Sequence, residues 1–295
     1  MFKKIISKLY FRYVKSAPEQ PVDLIDKYVS SGKIPWSPGY SEYRWKFISE
    51  ALQNDSLLLD ILQLKKFPAN FGEGLDDRSA EYPWIFAHLN KEKSKILDAG
   101  STFNFADIVD HDLVKSKDLT ILTFFPEPAN FCSKRISYVY ADLREIPHKT
   151  GYFDMVVCQS TLEHIDKDNS IYGYDIDKIQ DEKKSFEFLK AITELIRVVK
   201  SGGQLLITFP YGKFEDHGFF QQLDRDMVEQ IVNLLNKDGD STCEFMLYHK
   251  DGWQFADQAA CDNVESYNPH TGRGKGTDGA AHCRCICGIS FTKNK

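Results

Sequence analysis

No stretch of this chain holds the ~18–20 consecutive apolar residues that a membrane-spanning helix needs. An excess of cations is missing as well. Lys and Arg number 37 against 43 Asp and Glu, a formal net charge of −6, which argues against broad binding to a phosphate backbone. Zinc-knuckle and RNA-recognition signatures are lacking, so no nucleic-acid partner is expected. The first residues lack an uninterrupted apolar core and a small-residue cleavage site, so no secretory signal is expected. The seven cysteines are odd in number and not spaced as a disulfide scaffold. A reduced, cytoplasmic setting is the expectation. The G-x-G-x-x-G fingerprint is absent, which weighs against a nicotinamide dehydrogenase. Internal repeats and low-complexity segments are also absent.

What is present is an alternation. Short apolar runs of strand length recur between helical patterns, which implies parallel strands joined by crossover helices. Lys95 to Gly100 (KILDAG), Asp118 to Phe124, Ile136 to Tyr140, Phe153 to Gln159 and Gln204 to Pro210 are the predicted strands. Fully buried parallel strands read as continuous apolar runs, and Phe153–Val157 and Leu205–Phe209 have that character. Helices are predicted over 42–64 and 105–114. Another carries Phe186, Leu189, Ile192, Leu195, Ile196 and Val199 on one face and stops at Gly202-Gly203. Asp224 is the predicted cap of a further helix, and Cys243–Tyr248 and Cys283–Phe291 are the last two strands. In such sheets a ligand sits beyond the carboxyl ends of the strands, where the strand order switches. Asp98, Gly100, Asp142, Gln159 and Ser160 all fall at those ends and would converge on one crevice.

The segments DAGSTFN (98–104), ADLREIP (141–147), FDMVVCQSTLEH (153–164), IRVVKSGG (196–203) and QLLITFP (204–210), in this order and spacing, resemble the class I S-adenosylmethionine-dependent methyltransferases. The resemblance covers about residues 94–211 and the last strand. It implies an α/β three-layer sandwich: a mostly parallel, seven-stranded Rossmann-like sheet with an antiparallel closing strand, beneath an N-terminal helical cap. The expected division is a cap over residues 1–90 and a methyltransferase domain over 91–295, with a substrate-facing insertion near 211–282.

The resemblance also implies roles. S-adenosylmethionine would lie with its methionine end on the turn Asp98-Ala-Gly100-Ser101, which here holds one glycine where the family is richer. A glycine lets the backbone approach a ligand closely, and amides at the following helix start favour a carboxylate. Glu127, just past the second strand, is the candidate for the ribose hydroxyls. Asp142 would face the adenine amino group, with Leu143 lining the ring, and Gln159 and Ser160 would border the cofactor. His164 is the first candidate general base, with Asp216 and His217 as competitors. A guanidinium can hold a carboxylate in bidentate fashion, so Arg78 is the candidate substrate contact, although Asp76, Asp77 or Glu81 could pair with it instead.

Together with DDR (76–78) and EYPW (81–84) ahead of the cofactor turn, the pattern also resembles methyltransferases associated with surface-polysaccharide synthesis. That implies a small polar acceptor, a sugar hydroxyl. The rival reading from another class is a catalytically inactive methyltransferase fold serving as a binding or scaffold protein. Trp36, Tyr40, Tyr82 and Trp84 are expected to be core aromatics. Cys283-Arg-Cys-Ile-Cys287 invites a metal reading, but alternating strand residues share one face, and the cysteines are expected to fill the core of the closing strand without a metal. Residues 1–15 form an amphipathic, cationic stripe. It admits a helix lying on an anionic membrane at the inner face or a terminal helix docked on its own domain.

Overall fold

The computed structural model describes residues 23–172 and 184–295. The amphipathic stripe over 1–15 lies outside the described residues. Four helices precede the sheet: α1 (Leu24–Ser30), α2 (Tyr40–Leu52), α3 (Asp55–Leu64) and α4 (Arg78–His88). The single helix expected over 42–64 is two. Asn54 breaks it, because its side chain accepts from Leu57 N and caps a new helix. Tyr82 and Trp84, expected as core aromatics, lie within α4, a helix not among those expected. Residues 79–87 are buried throughout, Pro83 included.

Five parallel strands follow, β1 (Lys95–Ala99), β2 (Asp118–Thr123), β3 (Ser137–Tyr140), β4 (Phe153–Gln159) and β5 (Val199–Pro210). A small hairpin, β6 (Glu215–Asp216) with β7 (Gln221–Gln222), stands apart from the main sheet. The chain then adds β8 (Gly239–His249), β9 (Gly252–Ala256) and β10 (Cys285–Lys293). The sheet order is β3-β2-β1-β4-β5-β10-β8-β9, and β10 runs antiparallel to both neighbours. The Rossmann-like expectation holds, with eight strands in place of seven. The extra edge strand arises because Lys250 and Asp251 turn the chain tightly, pairing His249 with Gly252.

The continuous apolar strands have a simple basis. Neighbouring residues point to opposite faces, and helices cover both. Ile96, Met155, Val157 and Leu206 join one core with α2, α3 and α4. Leu97, Val156, Cys158, Leu205 and Ile207 join the other with α7 (Phe188–Val198) and α8 (Arg225–Leu235). Gly202 and Gly203 do not stop α7; the helix gives way at Val199, and both glycines lie inside β5. The region 105–114 holds two single turns, α5 (Ala106–Val109) and α6 (Asp112–Lys115), capped separately around His111. Asp224 caps α8, accepting from Met227 N as expected.

Tyr40, Tyr82 and Trp84 are buried core aromatics, whereas Trp36 is 45% exposed. Trp84 lies flat on β10 at Gly288, where a Cβ would come within 2.9 Å of its ring. Its Nε1 donates to Glu244 at 2.7 Å. Cys285 and Cys287 enter the core beside α7 and α8. Cys283 stops short of β10 and packs on the opposite side. Among the described residues, no helix is long and apolar enough to cross a membrane.

Candidate active site

The strand order reverses between β1 and β4, and a crevice of about 360 Å³ opens there, past the strand ends. Its wall takes in Arg78, Gly100, Glu127, Asp142, Leu143, Ser160 and His164 from the sequence candidates. Thr123, Phe124, Arg144, Thr161 and Ile165 join them.

The turn after β1 is built around Asp98. Its buried carboxylate accepts from Thr102 N at 3.1 Å, Thr102 Oγ1 at 3.1 Å and Phe103 N at 2.7 Å. Burial pushes this acid up to about 7, against the three hydrogen bonds that favour its ionised form. Asp98 therefore shapes the turn and is not part of the crevice wall. It also takes up the Thr102 and Phe103 amides that a ligand carboxylate was expected to meet. Gly100 N donates to Leu122 O at 2.9 Å.

Gly100 has φ +129°, a backbone region that side chains rarely adopt. A Cβ there would sit 2.0 Å from Thr161 Oγ1. The glycine thus lets the β1 turn touch the loop after β4. Ser101 has φ +65° and is buried behind the crevice wall without lining it, and its Oγ has no hydrogen-bond partner among the described residues.

Glu127 reaches the crevice from beyond β2. It accepts from Asn104 Nδ2 at 2.9 Å and Thr123 Oγ1 at 3.2 Å. Asp142 is fixed by Arg144, whose Nη2 lies 2.7 Å from Oδ2 and whose Nε touches both oxygens at 3.1 Å. Those bonds hold its carboxyl below the usual range despite partial burial. The two acids mark one end of the crevice.

Arg78 and His164 mark the other end. Arg78 Nη1 lies 3.3 Å from Glu81 Oε2. Glu81 is wholly buried and binds Ser160 Oγ at 2.5 Å, Thr208 Oγ1 at 2.6 Å and Gln159 Nε2 at 3.3 Å. It clasps α4 to the ends of β4 and β5. It also holds Ser160 in a left-handed conformation, φ +39°. Gln159 serves this clasp and does not line the crevice. From the sequence Glu81 was one of three possible partners for Arg78, and the pair does form. The signal for more was a lone acid in the apolar tract AEYPWIFA.

His164 sits on a short helical turn after β4. Its Nδ1 lies 2.7 Å from the Phe219 carbonyl, which can only accept, so Nδ1 carries the proton of the neutral ring and Nε2 the lone pair. Burial drives the imidazole down to about 4, so the ring is neutral across physiological pH. The β6–β7 hairpin holds this loop. Asp168 N donates to Gly218 O at 3.1 Å, and Lys167 pairs with Asp216 at 2.8 Å. The two competitors for the base role are placed elsewhere. Asp216 makes the Lys167 pair, and His217 is buried, stacked on Phe220 at 4.4 Å; neither lines the crevice.

Residues 111–207 match the family model described as a methyltransferase domain. No curated protein is similar enough in sequence to match. Among solved structures, the chain is similar to YcgJ from Bacillus subtilis, at 12% identity over 70% of this chain and 94% of that one, with a TM-score of 0.43. It is also similar to the Burkholderia thailandensis 1,6-didemethyltoxoflavin-N1-methyltransferase, solved with 1,6-didemethyltoxoflavin and S-adenosylhomocysteine. That likeness has 12% identity over 96% of this chain and 94% of that one, with a TM-score of 0.42. A third is the N-methyltransferase NodS from Bradyrhizobium japonicum with S-adenosylhomocysteine, at 12% identity over 85% and 99%, TM-score 0.38. The weight rests on the domain match, which runs from the turn before α6 into β5, and on the strand order around it. Residues 111–207 are thus similar to a methyltransferase domain, set in a sheet of Rossmann-like order.

Proposed function

We propose that the crevice holds S-adenosylmethionine between its acid-marked end and its Arg78–His164 end, and that the enzyme methylates a small polar acceptor, a sugar hydroxyl. The observation that carries this reading is the sorting of groups along one crevice: Glu127 and Asp142 at one end, Gly100 in the middle, Arg78 and His164 at the other. Glu127 and Asp142 suit the ribose hydroxyls and the adenine amino group, since carboxylates accept such donors well. Leu143 offers an apolar face to the ring. Ser101 Oγ, buried and without a partner among the described residues, fits a polar group at the methionine end.

Bound there, the cofactor supplies an electrophilic methyl on a sulfonium. The chain's contribution is to bind, orient and exclude water, bringing the acceptor oxygen in line at near-attack distance. Arg78, braced by Glu81, holds a carboxylate or hydroxyl of the acceptor. His164 takes the acceptor's proton on Nε2 as the new bond forms. The resemblance to methyltransferases of surface-polysaccharide synthesis makes sugars the first acceptors to test. The same reading assigns residues up to about 90 to a cap and 211–282 to the acceptor side. Incubation with S-adenosylmethionine and a panel of sugars, read by mass spectrometry, is expected to yield a product heavier by one CH₂ together with S-adenosylhomocysteine. Methylation confined to amines or carboxylates would overturn the hydroxyl reading.

A further inference from the structure

Three different donor types meet beside the acceptor end. Asp77 Oδ1 lies 3.6 Å from His282 Nδ1. One donor atom from each of Asp77, His282 and Cys283 lies within 4.8 Å of the other two. The residues come from distant parts of the chain. Asp77 opens α4, while His282 and Cys283 stand just ahead of β10. Adjacent residues of extended chain face opposite ways. Here a bend at His282 lets two consecutive side chains reach one carboxylate.

Asp77 holds the N-cap position of α4, yet its side chain makes no capping bond. An aspartate cap commonly contributes ~1 kcal/mol. That carboxylate is turned instead towards the imidazole, with Oδ1 3.6 Å from Nδ1, and the thiol sulfur lies within 4.8 Å. Asp76, next to it, is committed to Arg44 at 2.5 Å. Cys285 and Cys287 have left for the core, so Cys283 alone of that run reaches the cluster.

We propose that Asp77 Oδ1, His282 Nδ1 and Cys283 Sγ bind a divalent ion of the zinc class, as three protein ligands with a fourth position for water or a substrate atom. Carboxylate, imidazole and thiolate are the donors zinc uses, at about 2.0–2.3 Å. Those lengths give a tetrahedral edge of about 3.3–3.5 Å, so the 3.6 Å oxygen–nitrogen pair is already near it. The widest pair must close by up to about 1.3–1.5 Å from its limit of 4.8 Å. Asp77 and Cys283 are buried, and His282 is half-buried, so the fourth ligand enters past the imidazole. The His282 ring packs on Phe220 at 5.2 Å, and Phe220 also neighbours His164. Binding expels the thiol proton, since the thiolate is the ligand. None of this depends on methyl transfer.

The test is a Co²⁺ titration of the full chain in a Cys132→Ser background, because Cys132 is the exposed thiol among the described residues. One equivalent is expected to give tetrahedral d–d bands and a thiolate charge-transfer band, both displaced by Zn²⁺. Cys283→Ser should lose the charge-transfer band, and Asp77→Asn and His282→Ala should weaken cobalt binding by at least about tenfold. Absence of the band in the parent protein, or its survival in Cys283→Ser, would overturn the proposal. If circular dichroism shows Cys283→Ser unfolded, the other two variants decide: unchanged cobalt affinity in both overturns the site.

Discussion

His164 is the residue on which the proposed chemistry turns. Its neutral ring and the Phe219 carbonyl fix which nitrogen carries the lone pair. A base this weak helps only as the acceptor's proton becomes acidic during bond formation, and loss of a general base commonly costs about 10²–10⁴-fold. His164→Ala should therefore lower kcat by a factor near 10² while leaving S-adenosylmethionine affinity unchanged, as turnover and calorimetry would show. Normal turnover would make His164 a structural link to the β6–β7 hairpin. Gly100 offers a second test. A side chain at φ +129° would strain the backbone by about 1–3 kcal/mol, and its Cβ would collide with Thr161. Gly100→Val should displace the loop after β4 and abolish measurable cofactor binding; wild-type affinity would contradict this packing. His217 bears on stability. Burial depresses it from 6.5 to about 4, so between those values the unfolded chain binds the proton and the folded one does not. Its contribution is present above about pH 6.5 and lost as pH falls towards 4. His217→Phe removes that loss. The melting temperature of the variant minus that of wild type should rise over this window, and a flat difference would show that the ring does not titrate this way.

At the scale of elements, α4 is where the structure adds most to the sequence. Tyr82 and Trp84 were expected in the core, but Pro83 and the charges around it gave no local sign of a helix. Tertiary contacts hold the helix, because Tyr82, Trp84 and Phe86 bury against the sheet and Glu81 satisfies Ser160, Gln159 and Thr208. Such polar partners come from residues 78 to 127 positions away and leave no local trace. The strands were legible because a strand covered on both faces is apolar at every position. The crevice-lining Asp142, Ser160 and Gly100 were legible because strand ends can be located from those runs. Asp98 and Gln159 stand at the same ends, but their side chains turn inward to support the loops. Sequence position alone does not separate the two cases. Burial raises the pKa of Glu81 even with Arg78 beside it. Glu81→Ala would leave buried hydroxyls and an amide without their acceptor, at about 1–3 kcal/mol for an orphaned group. A lower urea midpoint with unchanged slope is the expected outcome; an unmoved midpoint would mean that the clasp is not needed.

At the scale of the whole molecule, sheet order decides where function can lie. Five parallel strands with a switch between β1 and β4 place the crevice, and the segment leading into antiparallel β10 brings His282 and Cys283 to Asp77, the neighbour of the crevice-lining Arg78. Polarity then runs along the crevice, from acids at the proposed adenosine end to Arg78 and His164 at the methyl end. The most direct test of that polarity is calorimetry with S-adenosylhomocysteine on wild type and Asp142→Ala. Removing one such hydrogen bond costs about 0.5–1.5 kcal/mol. The account predicts saturable binding of one equivalent by wild type and affinity weakened roughly three- to tenfold in Asp142→Ala. Absence of saturable binding, or equal affinity in the two proteins, would contradict it.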